Sequence, residues 1–187
     1  MYLFIGLGNP GPDCAGTRHN IGRETLLAAV RKLGFPAPAP SAKLQALVAE
    51  GKIGKEKAAF VLPETFMNKS GNAAGPAAKF YKVKPKQIVV LHDDADLMLG
   101  ATKLSFNKSS NGHKGVDAIA RALKTREFWR MRIGIQKKRR VPAEKLVLEK
   151  FRGNEEATAK TMVKKSIAAI EAITDMGPER AMNQYNA

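Results

Sequence analysis

Among the three histidines of the chain, His19 has the surroundings best suited to chemistry. It lies in a polar loop beside Arg18, just before a helical pattern. The partial positive charge of a helix N-terminus disfavours an imidazolium ion, and a histidine that is neutral near pH 7 can act as a general base. The sequence therefore indicates His19 as a candidate base, with a surface or capping histidine as the alternative.

A group of acids follows a short apolar run, in the segment His92-Asp93-Asp94-Ala95-Asp96. Carboxylates at the end of a buried strand reach the sheet edge where α/β folds bind ligands, so one of them could orient His19. Two alternatives stay open. The acids could form a capped turn, or His92, Asp93 and Asp96 could bind a metal, although no second ligand cluster accompanies them.

Two asparagines could supply amide groups to such a site. Asn9 follows the first apolar strand in a glycine-rich turn, and Asn68 stands between an apolar run and an alanine-rich helical pattern. A side-chain amide can donate a hydrogen bond to a carbonyl oxygen that gains charge, but Asn68 could equally cap the helix. The neighbouring Met67 suits the wall of a pocket, although core packing is the simpler explanation.

Two other kinds of chemistry are less well supported. Gly6, Gly8 and Gly11 match a dinucleotide-binding fingerprint, but turn residues follow them where that motif needs a helix, and no acid ends a second strand about twenty positions later. Cys14 could pair with His19 as a nucleophile, but a buried structural thiol explains it better. A base-activated water remains, which suits hydrolysis of an ester attached to a polyanion.

The chain is strongly basic, with 32 Lys and Arg against 17 Asp and Glu and a net charge of +15. Residues 97–154 hold 15 of these basic residues and only 4 acids. Clustered positive charge attracts polyanions, so we expect a nucleic-acid partner rather than an anionic membrane surface. The residues predicted to form this surface are Lys103, Lys108, Arg130, Arg132, Lys137, Lys138 and Arg139.

The elements that must position these groups follow from alternating apolar patterns. Strands are predicted at 2–7, 44–49, 58–62, 88–91, 102–106 and 131–135, and helices at 20–33, 68–81, 115–123 and 155–175. The alternation predicts an α/β fold, a single-domain three-layer αβα sandwich over residues 1–187 with a mixed, mostly parallel central sheet. The segment 107–113, rich in Asn, Lys, Ser and Gly, is predicted to be a mobile flap beside the basic region.

The N-terminus is strand-like rather than a signal segment, and no apolar stretch approaches the ~20 residues of a membrane span. The single cysteine excludes an intramolecular disulfide. Together these features predict a cytoplasmic protein, which we expect to be a monomer without a membrane partner.

Six motifs that appear in order along the chain resemble those of bacterial-type peptidyl-tRNA hydrolase, and the similarity extends over essentially the whole sequence. The motifs lie at residues 6–11, 17–22, 66–71, 92–97, 112–115 and 132–135. The resemblance implies hydrolysis of the ester between a peptide and the 3′ end of tRNA, without metal or cofactor. It implies that His19 activates water, that Asp93 orients His19, and that Lys103 and Arg132 grip the acceptor stem. The substrate-binding residues that it implies are Asn9, Met67, Asn68, His113 with its lid loop, and Lys114.

The sequence also departs from the pattern of this family. Lys114 stands where asparagine is usual, Cys14 replaces an aromatic residue, and Ser105 replaces a basic one. The usual glycines of the flap are partly replaced, and the run Lys137-Lys138-Arg139-Arg140 follows the last strand motif. A non-catalytic RNA-binding relative is therefore the alternative to an active enzyme.

Overall fold

The structure is a computed structural model that describes residues 1–186. Seven strands form one sheet: β1 (Tyr2–Gly6), β2 (Ala39–Ser41), β3 (Ala46–Ile53), β4 (Glu56–Pro63), β5 (Ile88–Met98), β6 (Thr102–Phe106) and β7 (Trp129–Gln136). The helices are α1 (Ile21–Lys32), α2 (Gly71–Phe80), α3 (Lys114–Leu123), α4 (Ala143–Leu146), α5 (Asn154–Met176) and α6 (Pro178–Tyr185).

The sheet is mixed, as predicted, with strand order β2-β3-β4-β1-β5-β7-β6. Its centre is parallel, because β1 pairs in parallel with β4 and β5, and β5 pairs in parallel with β7. The antiparallel pairs lie toward the two edges, where β2, β3 and β4 pair in sequence and β6 pairs with β7.

Helices cover both faces of the sheet, which confirms the predicted αβα sandwich. Phe4 of β1 packs in a core that contains residues of α1 and α5, whereas Leu3 and Ile5 pack in a second core with residues of α2 and α3. Successive strand residues point to opposite faces. A central strand covered on both sides is therefore apolar throughout, as the first apolar run of the chain is.

Several elements differ from the prediction. Strand β2, which contains Pro40, is absent from the predicted strands, but an edge strand tolerates proline because the outer side of the strand needs no N–H donor. Helix α6 is also absent from the prediction, and Pro178 begins it because proline is favoured at the first helical position. None of the helices within residues 1–186 has the length and apolar character needed to cross a membrane.

The glycine-rich turn after β1 does not begin a helix. Gly11 has a φ of 97°, and a short 3₁₀ turn, Pro12–Cys14, follows it. The first α-helix starts only at Ile21. This geometry agrees with the sequence-based argument against a dinucleotide-binding motif, and Cys14 in the turn is half-buried rather than buried as expected.

A close contact between α1 and β5 brings the two candidate catalytic segments together. A Cβ atom at Gly22 would lie 2.1 Å from the carbonyl oxygen of Leu91, so only glycine fits there. His19 precedes α1 by two residues, and Asp93 follows Leu91 by two residues on β5. The packing of α1 on the central strand therefore places both groups at one edge of the sheet.

Candidate active site

His19 and Asp93 form the centre of the site. The His19 Nδ1 atom lies 2.9 Å from Asp93 Oδ1. The Asp93 carboxylate is 2% exposed and the His19 ring 16% exposed, so only the imidazole reaches solvent. Burial alone would raise the pKa of Asp93, but the charge and hydrogen bonds of His113 and His19 outweigh burial and hold that pKa well below its usual range. Asp93 is therefore a carboxylate at neutral pH.

The hydrogen bond fixes the tautomer of His19. An ionised carboxylate only accepts, so the proton of the neutral imidazole is on Nδ1, which donates to Asp93. The Nε2 atom then carries the free lone pair. This is the arrangement of base and acid found in catalytic triads, in which the carboxylate selects the tautomer and stabilises the imidazolium that forms.

His113 is the second imidazole on the same carboxylate. Its Nε2 atom lies 2.8 Å from Asp93 Oδ1, and its Nδ1 atom accepts hydrogen bonds from the backbone N–H groups of Gly115 and Val116 at 3.2 and 3.3 Å. His113 therefore caps helix α3 and carries its proton on Nε2, which donates to Asp93. Both ring nitrogens are engaged within the protein, so their geometry does not support the prediction that His113 binds substrate.

The same tautomer argues against a metal ion. Ligand atoms of His19, Asp93 and His113 all lie within 4.8 Å of one another. A metal on Nε2 of neutral His113 would move the ring proton to Nδ1, where it would face two backbone N–H donors. The predicted alternative set also fails to converge, because His92 and Asp93 are adjacent on strand β5 and point to opposite faces. The residues present do not fit a metal.

His92 lies beneath the site. Its ring is 4.8 Å from that of His113 and its Nδ1 is 2.6 Å from the backbone oxygen of Asp93. Complete burial, together with the positive charge of Arg130, holds the pKa of His92 well below its usual range. His92 is therefore a neutral, buried residue that contacts the His113 ring and the backbone of Asp93.

The backbone of the His19 loop is held by a distant part of the chain. The N–H groups of Arg18 and His19 donate to the carbonyl oxygens of Glu149 and Val147, at 2.8 and 2.9 Å. The Arg18 side chain is fully buried and bonds to Glu155 at 2.5 Å and to the Ile135 carbonyl at 3.1 Å. These contacts fix the position from which the His19 ring extends.

Asn9 is held by a clamp that the sequence did not reveal. The Asn20 side chain accepts from the Asn9 backbone N–H and donates to the Asn9 carbonyl, both at 2.9 Å. The Asn9 Oδ1 atom accepts from the Met67 N–H at 2.8 Å. Because this oxygen is occupied by a donor, the Asn9 amide presents its NH₂ group as the remaining polar group.

Met67 and Asn68 share a 3₁₀ turn, Met67–Lys69. Met67 is buried, and a Cβ atom at Gly115 would lie 2.4 Å from its sulfur, so it packs against the start of α3. Asn68 is exposed. It is not the cap of α2, because that helix begins at Gly71 and the capping position is Ser70.

A pocket of about 390 Å³ opens in front of His19. Its walls include Asp93, His113 and Lys114, together with the largely apolar residues of α4 and the following segment. The flap, residues 107–113, contributes Ser110 to Gly112 and has no regular secondary structure, as predicted. Asn9, Met67 and Asn68 are not part of these walls and lie in the adjoining region that Asn20 connects to His19.

The residues predicted to form the basic surface differ in solvent exposure and in whether a carboxylate already pairs with them. Arg132 is paired with Asp94 at 2.7 Å, and Lys137 is paired with Glu149. Arg130 is only 1% exposed, and burial together with the charge of Arg132 lowers its pKa to about 10. A buried guanidinium cannot contact RNA at the surface, so the structure does not support Arg130 as a tRNA-binding residue. The exposed members are Lys103, Lys108, Lys138 and Arg139.

Comparisons with known proteins agree with the motifs. Residues 3–187 match the family model described as peptidyl-tRNA hydrolase. The chain is 39% identical to the peptidyl-tRNA hydrolase of a Thermoanaerobacter species, over 100% of both proteins. It is 38% identical to that of Mycolicibacterium smegmatis, over 99% of this chain and 97% of the relative. The crystal structure of peptidyl-tRNA hydrolase from Acinetobacter baumannii superposes with a TM-score of 0.92 at 30% identity, covering 100% of this chain and 95% of that one.

Proposed function

Because the chain belongs to the peptidyl-tRNA hydrolase family, we propose that it hydrolyses the ester between a peptide and the 3′ end of tRNA, with His19 as the general base. The observation that carries this proposal is the hydrogen bond of 2.9 Å between His19 Nδ1 and the Asp93 carboxylate. It leaves the Nε2 lone pair of a partly exposed imidazole available at a pocket.

In the proposed reaction, His19 Nε2 accepts a proton from a water molecule as its oxygen attacks the ester carbonyl carbon. The charge of the Asp93 carboxylate stabilises the resulting imidazolium. Collapse of the tetrahedral intermediate breaks the bond to the ribose oxygen, and the imidazolium returns the proton to that leaving group. The products are a peptide with a free carboxylate and a tRNA with a free 3′ end.

The two asparagines are suited to the carbonyl and the peptide backbone. Asn9 has its amide NH₂ group free, because Met67 N–H occupies its oxygen, and Asn68 is exposed beside it. Each amide can donate to an oxygen that becomes negative during attack. Neither role requires a cofactor.

The RNA half of the substrate is assigned to the exposed basic residues near the flap and after β7. Lys103 and Lys108 lie on and after the edge strand β6, and Lys138 and Arg139 follow β7. Strands β6 and β7 are adjacent in the sheet. Lys103 pairs in register with Arg132, which in turn pairs with His92, and Lys138 and Arg139 follow the end of β7, so these three cations offer phosphate contacts near the Asp93 end of the strands. Lys108 follows the other end of β6, at the start of the flap.

The test is release of the acyl group from N-acetylaminoacyl-tRNA. His19→Ala should lower the rate by ~10²–10⁴, the usual contribution of a general base, and Asp93→Asn should also lower it strongly because the wrong tautomer of His19 becomes available. Asp175→Asn, at an exposed position of α5, is the matched control for loss of a carboxylate. Equal, slow release by wild type and His19→Ala, with tRNA still bound, would instead identify a non-catalytic RNA-binding protein.

A further inference from the structure

Lys114 is a cation at the pocket, and the hydrogen bond of its neighbour His113 to Asp93 holds its backbone in place. It is the first residue of α3 and directly follows His113, whose ring is hydrogen-bonded to Asp93. Lys114 is exposed and forms part of the same wall as His19 and Asp93. Its backbone is therefore fixed to the catalytic carboxylate while its long side chain is free to adapt.

The three aspartates of the pocket wall, Asp93, Asp94 and Asp96, already have partners of their own. Asp94 is paired with Arg132 at 2.7 Å, and Asp96 is near Arg140 at 3.7 Å and accepts from Asn111 at 3.2 Å. Within residues 1–186, no carboxylate oxygen lies within 4.0 Å of the Lys114 ammonium. The charge of Lys114 is thus available to a ligand.

The backbone at the start of α3 has fewer free N–H donors for an anion than a helix N-terminus usually has. A helix N-terminus can bind an anion through its free N–H groups. However, the N–H groups of Gly115 and Val116 donate to His113 Nδ1. Lys114 therefore supplies donors for an anion at this end of the pocket, and its ammonium group is the charged one.

We propose that Lys114 binds the phosphodiester on the 5′ side of the terminal nucleoside of the substrate, and so positions the ester at His19. This inference rests on the proposed function. An N-blocked peptide has no obligatory charge, whereas the terminal nucleotide carries a phosphate one ribose away from the ester. A lysine is a compact point charge on a flexible stem, which suits a phosphate oxygen. The apolar residues of the pocket wall, Ala143, Val147 and Leu148, offer no cation for a phosphate.

The experiment compares two substrates that share the ester but differ in phosphate. One is an N-acetylaminoacyl-adenosine without any phosphate, and the other is the same acyl group on a CCA trinucleotide. For Lys114→Met, we expect kcat/KM to fall about tenfold on the trinucleotide, as for loss of one hydrogen bond to a charged group, and less than about twofold on the adenosine. The difference between wild type and Lys114→Met on the trinucleotide should shrink as added salt screens the charge of Lys114.

Three further variants make the comparison specific. Lys114→Arg keeps the charge and should retain most of the trinucleotide activity, which also shows that the position tolerates substitution. Lys164→Met removes an exposed lysine of α5 and should leave kcat/KM unchanged on both substrates. Glu144→Gln tests the remaining acid of the pocket wall, for which no ion pair occurs within residues 1–186, and should not reproduce the loss seen with Lys114→Met.

Several outcomes would overturn the proposal. Equal losses on both substrates would place Lys114 at the ester itself, and no loss on either would remove it from substrate binding. An equal loss in Glu144→Gln would mean that Lys114 acts through that carboxylate. If wild type hydrolyses neither minimal substrate, calorimetric binding of an unreactive CCA trinucleotide decides the matter: Lys114→Met must weaken this binding, and unchanged binding refutes the proposal. The proposed function is decided separately, by release of the acyl group from N-acetylaminoacyl-tRNA.

Discussion

The buried His92 should make the stability of this protein depend on pH in the mildly acidic range. The pKa of His92 is held well below its usual value in the folded chain, whereas in the unfolded chain it is about 6.5. Below pH 6.5 the unfolded chain therefore binds a proton that the folded chain does not. The free energy of unfolding must then fall as the pH falls.

The magnitude follows from the protonation of the unfolded state alone, because the folded side chain is 1% exposed and stays neutral. Between pH 7.0 and pH 5.5, this one group should remove about 1.2 kcal/mol from the free energy of unfolding. Urea denaturation at the two pH values measures it, with the midpoint and slope compared at each pH.

The control is His92→Leu, which removes the titrating group and leaves His19 and His113 in place. The variant has its own stability at pH 7.0, so only the change between the two pH values is compared. Wild type should lose about 1.2 kcal/mol more than the variant. If the two proteins lose the same amount, His92 is not a neutral buried group, and the reasoning from its burial beside His113 and Arg130 is wrong.

Two other predictions concern packing and RNA binding. Gly22→Ala should lower the free energy of unfolding by about 2–3 kcal/mol, because the new methyl group would meet the Leu91 backbone. The matched Gly75→Ala in α2, where the nearest atom would be 3.5 Å away, should be neutral or stabilise by up to about 1 kcal/mol; urea denaturation that shows equal losses would contradict the close approach of α1 to β5. Replacing Lys138 and Arg139 together by alanine should flatten the salt dependence of tRNA binding by a slope of about 1 for each phosphate that the protein no longer neutralises. Filter binding between 50 and 200 mM salt, taken as roughly the range where such charges matter, measures this slope, and an unchanged slope would remove both residues from the RNA surface.

The α/β class and most elements were predictable because apolar periodicity reports burial directly. Strand β6 occupies 102–106 as predicted, and α1 and α5 differ from their predicted bounds by one residue at either end. The prediction ended β5 at residue 91, but the strand runs to Met98. The acidic residues do not end strand β5, because Arg132 and the imidazoles of His19 and His113 pair with their carboxylates. These partners are distant in sequence, so the local pattern could not predict them.

The candidate site was predictable in its chemistry but not in its connections. The residue pattern indicated His19 as a base and one of the acids of 92–96 to orient it, and the family resemblance singled out Asp93. The structure places His19 and Asp93 within hydrogen-bonding distance. The sharing of Asp93 by His113 was not foreseen, since it depends on where α3 begins relative to β5. The clamp by Asn20 was also missed, although an asparagine immediately after a candidate base is a signal that a search for backbone-binding amides would have found.

The backbone pairing of the His19 loop with residues 147–150 has a consequence for how this sequence can vary. Carbonyl oxygens of Val147 and Glu149 hold the loop, and every residue type provides a carbonyl. Substitutions at those two positions should therefore leave the hydrogen bonds of His19 intact. A one-residue insertion within the pairing, between Val147 and Glu149, is different, because it shifts the alternation of inward and outward carbonyls. This segment should thus tolerate changes of residue type but not changes of length, the opposite of an ordinary surface loop.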